Sequence, residues 1–559
     1  MSEKENKIID LKMEDLENPK DLTKIGEVCG ADTGPPSSVI TLKIEKRPDD
    51  LRLGQPLVIE SDKLLYYTLI IRLYFPFNDL AEKFANTPFV GLVPPSQIEG
   101  IRGKEFYGLA DLSCLRILPN KQKEDLEYQE LMRGFDTIPP IFSQGRDVTD
   151  EEFKIIYEVA EHSDTIGTLR GFKYEVPIDF QKLVEKPYGL FGRTGIGKSI
   201  LNKILCLYIL KHEISQLLLF DMQGEYGLVS RADRTKGLAF YYQEKIQMYR
   251  LSELDKKDKL VDGAEQFFIY KDNILSGDII ASAQTLNEPS INTLIQIENL
   301  LNSKRIKYDN LLEAIQKITS DEIQAHKINN LSLGALKNRI VPFERYSFLR
   351  NRGESKREDS IEHMFTKLTG GKSIVIDFGK YGTNTHLYLF VANMITRRLY
   401  HIYSQKEDEG NLPPLVVVVE EAHKFLKSGI IQHTIFDRIA RETRKFQLTM
   451  AFVDQRPSQI DEEVYSQVAN SFVMHMTDEK DIKRVVQSLP DSKKWRGVIS
   501  GLQKKQCFVR GDAVAVPSIV EILDYNNEQD LKKKLGITKP LSETLKALEK
   551  SDLTVLEDK

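Results

Sequence analysis

Apolar and polar positions change rhythm several times along the chain. Between residues 21 and about 120 the apolar stretches are short and broken by turn residues: "SSVITLKIEK", "QPLVIESDKLLYYTLIIRLY", "TPFVGLVP" and "KEFYGLADLSCLRIL". Such spacing predicts strands of a small β-barrel or sandwich, or alternatively an irregular α/β lobe. A polar, helix-prone stretch near 121–165 completes this region. From Pro187 the rhythm becomes strand, loop, helix. "YGLFG", "QLLLFD", "SIVIDF", "PLVVVVE", "LTMAFVD" and "SFVMHM" are short, continuous apolar runs, separated by helical patterns such as "SILNKILCLYILKHE". Runs without alternation predict strands buried on both faces, so a parallel sheet covered by helices. Over about 285–365 the strand rhythm stops, and "INTLIQIENLLNSKRIKYDNLLEAIQKI" predicts amphipathic helices inserted into the sheet domain. A late hairpin, "QCFVRGDAVAVPSIVEI", is expected to turn at Gly511-Asp512. The predicted organisation is a polar arm (1–20), a β-rich region and linker (21–165), an α/β core with its helical insertion (166–520) and a helical tail (521–559).

Composition narrows the class. At 559 residues the chain exceeds what one core supports, about 250–300 residues. Its net charge of −5 excludes a wholly basic nucleic-acid coat, though a local basic surface remains compatible with it. The four cysteines, Cys29, Cys114, Cys206 and Cys507, are scattered without metal-ligand spacing, which predicts reduced thiols. The first twenty residues are charged where a signal peptide needs an apolar core. No run reaches the roughly 18 apolar residues of a membrane helix. A cytoplasmic protein without a membrane partner is expected.

The most specific chemical signal is "GRTGIGKS", residues 192–199, with a predicted strand before it and a helix after it. Glycines let the backbone curl so that Thr194, Gly195, Ile196, Gly197 and Lys198 direct N–H groups inward at phosphate oxygens. The helix N-terminus adds partial positive charge. Lys198 reaches the β- and γ-phosphates, and Ser199 offers a hydroxyl to Mg²⁺. ATP and Mg²⁺ are therefore the expected cofactors. A second signal, "PPLVVVVEEAHKFL", ends a buried strand in two acids. Glu420 is the candidate metal carboxylate and Glu421 the candidate general base. "LLLFDMQGEYG" places Asp221 and Glu225 beside the phosphate loop, either in a metal and water network or as capping acids of a turn. "LTMAFVDQRPSQI" puts Gln455 just past another core strand, where an amide can sense a γ-phosphate or orient water.

In "IIQHTIFDRIARETRKFQL", Arg438, Arg441 and Arg444 recur every three residues on one helix stripe. They suit either a solvated face or arginine fingers for a neighbouring subunit's site. "DFGKYGTNTH" offers Lys380 and Tyr381 between glycines as a candidate DNA-contacting loop, against the alternative of an ordinary strand-to-helix turn.

With these segments placed, the chain resembles the HerA family, within the FtsK–HerA group of DNA-pumping ATPases. The resemblance spans roughly 170–520 and rests on "GRTGIGKS", "LLLFDMQGEYG", "VVVVEEAHKFL", "RETRKF", "VDQRPSQIDEEVYSQVANSFVMHMTDEKDIKRVV" and "GDAVAVP". It implies a RecA-like P-loop core preceded by a small N-terminal β-barrel, assembled as a homo-hexamer around double-stranded DNA. It implies that Glu421 is the catalytic acid, Gln455 the sensor, and Arg441 and Arg444 an arginine pair, with Arg444 the one acting in trans. It also implies an effector partner, such as a NurA-like nuclease in end resection, or another nuclease or a sirtuin-like NADase in bacterial anti-phage systems. Ile196 departs from the serine that many relatives carry there, at a position where the backbone makes the contact.

Three function classes stay open at this stage. A ring motor translocates DNA for its effector. A ring scaffold uses ATP as a switch to organise the effector. A metabolic P-loop kinase is disfavoured by the paired glutamates, the arginine helix and the extra β region.

Overall fold

The computed structural model describes residues 23–34, 37–76, 107–120, 137–230, 233–254, 263–282, 286–353, 359–405, 412–428, 431–489 and 492–538. The chain forms two compact units, Met1–Ile156 with Ser488–Val498, and Tyr157–Gln487 with Ile499–Lys559.

In the first unit six strands close a barrel: β1 (Lys24–Gly34), β2 (Ser37–Ile44), β3 (Pro56–Glu60), β4 (Leu64–Tyr74), β5 (Gly108–Pro119) and β6 (Gln144–Arg146), in the order β1-β2-β5-β4-β3-β6. Every neighbouring pair is antiparallel. Alternate positions point inward, and Ile40, Leu42, Leu57, Ile59 and Ile70 fill the interior. Closure leaves no free edge. Gly26 in β1 is required by proximity, because a Cβ there would sit 2.1 Å from the Lys43 carbonyl oxygen. Of the strands predicted here, "TPFVGLVP" lies outside the described residues, as do the polar arm and most of the tail. The stretch expected to be helical contains β6 and a short helix, Asp150–Ile156.

The second unit is built on a twelve-stranded sheet. Its strands are β7 (Ser163–Leu169), β8 (Glu175–Asp179), β9 (Tyr188–Phe191), β10 (Gln216–Asp221), β11 (Ile246–Arg250), β12 (Glu265–Gln266), β15 (Ser373–Asp377), β16 (Leu415–Glu420), β17 (Leu448–Asp454), β18 (Asn470–Met474), β19 (Gln506–Arg510) and β20 (Ser518–Ile522). The order is β12-β11-β15-β10-β16-β17-β9-β18-β19-β20-β7-β8, parallel from β12 to β18 and antiparallel beyond. The sheet is thus mixed rather than wholly parallel. β7, which straddles the expected boundary at 165/166, pairs with β20 and β8. The β19–β20 hairpin forms, but residues 511–517 separate the two strands. The expected two-residue turn at Gly511-Asp512 is replaced by a longer loop, in which Gly511 adopts φ +128°.

Helices cover both faces. Lys198–His212 is buried continuously from Leu201 to Leu210, so the polar Asn202 and Lys203 are enclosed with the apolar residues. The 21-residue helix Thr385–Gln405 buries residues such as Leu387, Phe390, Val391 and Met394, and its Tyr388 ring meets Phe220 of β10 edge-on. The insertion contains the helices Glu288–Asn302, Leu311–Lys317, Ser320–Ala325 and Asn330–Ile340. Each starts at a side-chain cap, Asn287, Asn310, Thr319 or Asn329, which accepts a backbone N–H of the first turn. Two short strands, β13 (Ile269–Tyr270) and β14 (Leu349–Arg350), pair in parallel and bracket the insertion at its base. Among the described residues no helix is long and apolar enough to cross a membrane.

Candidate active site at the carboxyl edge of the sheet

Parallel strands that run the same way deliver their C-terminal residues to one edge, where ligands of α/β sheets bind. Here the residues ending β15, β10, β16 and β17 are Asp377, Asp221, Glu420 and Asp454, and the phosphate loop follows β9. The sheet order therefore sets the loop beside β17, with β16 and β10 beyond it.

The loop has the backbone its composition predicts. Gly195 and Gly197 adopt φ +76° and +116°, conformations that L side chains rarely adopt. The N–H groups of the first helical turn have no carbonyl one turn earlier to bond, so they are free to meet an anion. Lys198 Nζ folds back to donate to the carbonyl oxygens of Gly192 (2.8 Å) and Arg193 (3.1 Å). Desolvation lowers the Lys198 pKa, and the charges of Glu421, Asp454, Glu420 and Glu225 oppose that shift. Acids from three separate sequence segments, among them the predicted Glu420, Glu421 and Glu225, thus act on one ammonium group.

Two chains of hydrogen bonds join the loop to the strand ends. In the first, the Thr194 hydroxyl donates to Gln455 Oε1, and Gln455 Nε2 donates to Glu421 Oε2 at 3.3 Å. Glu421 has φ +51°, and its side chain is 36% exposed, within reach of water. In the second, Asn202 Nδ2 on the loop's helix donates to the Tyr226 hydroxyl (2.9 Å), and that hydroxyl donates to Glu420 Oε1 (2.6 Å). Tyr388 closes the other side of Glu420: its hydroxyl accepts the Glu420 N–H (3.1 Å) and donates to the Glu420 carbonyl (3.0 Å). Desolvation pushes the Glu420 carboxyl up to about 8, with the Asp221, Glu225 and Glu421 charges adding to it and the Tyr226 hydrogen bond opposing it.

Asp221 is 1% exposed, and its two oxygens accept the N–H groups of Glu225 and Tyr226, each at 2.8 Å. Of the two readings open for it, the geometry gives the capping acid of a turn. By holding the turn it aims Tyr226 at Glu420. Desolvation, then the Asp377 charge, pushes Asp221 up to about 6. Among the described residues no group of three or more His, Cys, Asp or Glu side chains converges to enclose a metal ion. The donor chemistry of Ser199, a hydroxyl, and Glu420, a carboxylate, is of the oxygen type that Mg²⁺ takes.

The arginine helix, Ile435–Phe446, buries Phe436, Ile439 and Ala440 against the core. Its first N–H is capped by Asn393 Oδ1 at 3.0 Å, and Asn393 is held by Asp278, which Arg397 grips in turn. Arg441 is exposed and pairs with Asp437 and Glu463. Arg438 lies over the Tyr400 ring. The Arg444 side chain lies outside the described residues. In the candidate DNA loop, Tyr381 packs edge-on against Tyr346 of the insertion while Lys380 is exposed.

The family description "Helicase HerA, central domain" matches residues 164–399, from the start of the large sheet through the phosphate loop to the helix before β16. The "DNA double-strand break repair helicase HerA" of Saccharolobus solfataricus is 24% identical over 396 residues, 69% of this chain and 73% of that protein. Its namesake from Pyrococcus furiosus is 24% identical over 421 residues, with the same shares. The central part of the chain thus resembles the HerA helicases. Among solved structures, VirB4 of Thermoanaerobacter pseudethanolicus aligns over 66% of this chain and 98% of its own, at 12% identity and a TM-score of 0.45. The bacterial conjugative coupling protein TrwB, lacking its first 70 residues, aligns over 67% and 91%, at 13% identity and the same TM-score.

Sequence reasoning selected Lys198, Glu420, Glu421 and Gln455 and missed the residues that hydrogen-bond around them. Asn202, Tyr226, Tyr388, His423 and Asp454 were not singled out. A signal existed for two of them. Asp454 ends an apolar run as Asp221 and Glu420 do, and His423 lies inside the "EEAH" string.

Proposed function

We propose that the protein is an ATP-hydrolysing motor that moves double-stranded DNA as a homo-hexameric ring and serves a partner effector enzyme. The observation that carries this reading is the relay from Thr194 through Gln455 to Glu421. It couples the phosphate loop to a water-accessible carboxylate, an arrangement a hydrolase uses and a simple binding module does not. In this reading the backbone of 194–198 and Lys198 bind the phosphates. Ser199 and Glu420 would hold Mg²⁺, which when bound would supply positive charge against the developing phosphate charge. Glu421 accepts a proton from the attacking water, and Gln455 reports the γ-phosphate through the relay. Arg441 is exposed on the helix Ile435–Phe446, which also carries Arg444, and in this reading the pair serves a neighbouring subunit's site. The names of the relatives, which include DNA repair helicases, support DNA as the track.

The test is ATP turnover by the purified protein with and without duplex DNA, together with triplex-strand displacement and the mass of the assembly. DNA-stimulated turnover, displacement and a six-subunit mass are expected. Glu421→Gln should bind ATP and hydrolyse it at least a hundredfold more slowly. Parental turnover by Glu421→Gln removes the base assignment, and turnover indifferent to DNA in an assembly that still binds an effector favours the scaffold reading instead.

A further inference from the structure

Glu421 adopts a left-handed backbone conformation that a residue with a side chain disfavours, at the position proposed for the general base. Such a conformation persists only where surrounding contacts fix it. The contacts that fix it converge on Asp454, a residue with no part in the proposed chemistry.

Asp454 is the last residue of β17, the strand between β16, which leads to Glu421, and β9, which leads to the phosphate loop. It has no exposed surface. Its backbone carbonyl accepts the Gly192 N–H at 3.2 Å, at the start of the phosphate loop. Its carboxylate accepts the His423 backbone N–H at 2.5 Å and the Arg456 N–H at 2.6 Å. Each of its oxygens also lies 3.0 Å from His423 Nδ1. A carboxylate oxygen only accepts, so Nδ1 carries the hydrogen of that contact. His423 is thereby pinned at backbone and ring together, two residues after Glu421, and the Lys424 N–H closes the turn on the Glu421 carbonyl at 2.8 Å. The His423 ring stands 3.8 Å from Glu421 Oε2, beyond hydrogen-bond distance. The imidazole therefore acts on Glu421 by fixing its turn, not by exchanging a proton with it.

We infer that Asp454 and His423 are a positioning pair that locks the Glu421 turn against the phosphate loop. Asp454 thus joins the starts of three segments: the loop at Gly192, the acid turn at His423 and the Gln455 turn at Arg456. This inference rests on the assignment of Glu421 as general base.

The experiment measures ATP turnover and ATP affinity for the full-length protein carrying His423→Ala, His423→Asn, Glu421→Gln, and Glu421→Gln with His423→Ala. His423→Ala should lower kcat at least tenfold and leave the ATP dissociation constant within twofold. His423→Asn should regain most of the lost rate, because its amide N–H replaces Nδ1–H toward Asp454 and tests the pair in a protein that keeps the anchor. In the Glu421→Gln background His423→Ala should remove nothing further from the residual rate, since a positioning residue acts only through what it positions. Parental kcat in His423→Ala, equal losses of rate and ATP affinity, or the same fold loss in both backgrounds would each overturn the inference. If Glu421→Gln alone turns over at the parental rate, the base assignment fails. If Glu421→Gln is slow while His423→Ala is not, only the positioning pair fails.

Discussion

Glu420→Gln should stabilise the nucleotide-free protein in alkaline solution while impairing its ATPase. Desolvation pushes the Glu420 carboxyl from an ordinary value of 4.5 up to about 8. The folded protein therefore binds this proton more tightly than the unfolded chain does. Its contribution to stability is fully present below about pH 4.5 and is lost as pH rises through about 8. A displacement of that size corresponds to about 5 kcal/mol at full ionisation, and about 3 kcal/mol of it develops between roughly pH 5.5 and 8.5. Glutamine has nearly the same shape, keeps an Oε1 to accept the Tyr226 hydroxyl, and has no charge to desolvate. The melting temperatures of parent and variant, measured with EDTA and without nucleotide, should separate by a few degrees more at about pH 8.5 than at about pH 5.5. Other titrating groups, including Asp221, are common to both proteins and largely cancel. A melting-temperature difference that stays constant between the two pH values would refute the reasoning.

Three further outcomes follow from the geometry. Tyr226→Phe removes the hydroxyl that bridges Asn202 and Glu420 and should cost about 1–3 kcal/mol in denaturant unfolding, because buried polar partners lose their bond; an unchanged midpoint at unchanged slope would contradict the bridge. Gly197→Ala places a Cβ at φ +116° and should cost about 1–2 kcal/mol of loop conformation, read as roughly tenfold weaker ATP binding by calorimetry. Arg441→Ala removes only exposed ion pairs to Asp437 and Glu463, so its melting temperature should hardly move, while ATPase of the assembled protein falls by a hundredfold or more if the side chain completes a neighbouring site.

The strands of the sheet were legible because burial on both faces leaves uninterrupted apolar runs, and the runs at 216–221, 415–420 and 448–454 correspond to β10, β16 and β17. The phosphate loop was legible because its demands are local, with glycine where φ is positive and lysine where charge is needed. Strand polarity at the far edge was less so. β7 was not predicted as a strand, and its hydrogen-bond partner β20 lies some 350 residues further on. The β19–β20 turn was placed at a Gly-Asp pair that the chain uses inside a longer loop.

The sequence by itself determined the candidate phosphate loop and the candidate acids, since each lies at the end of an apolar run or in a glycine loop, where residue type and local backbone suffice. Only the tertiary structure decided what holds them. Tyr226 meets Glu420 across 194 residues of chain, and Thr194 meets Gln455 across 261. It also separated the acids. Asp221 spends both oxygens on its own loop, Glu420 is desolvated beneath two tyrosines, Glu421 keeps access to water, and Asp454 ties three turns together. Four strand-end carboxylates look alike in the sequence because a strand end is all that sequence shows. Their roles diverge because desolvation and hydrogen-bond partners are set by the order of strands in the sheet, which is a property of the whole fold.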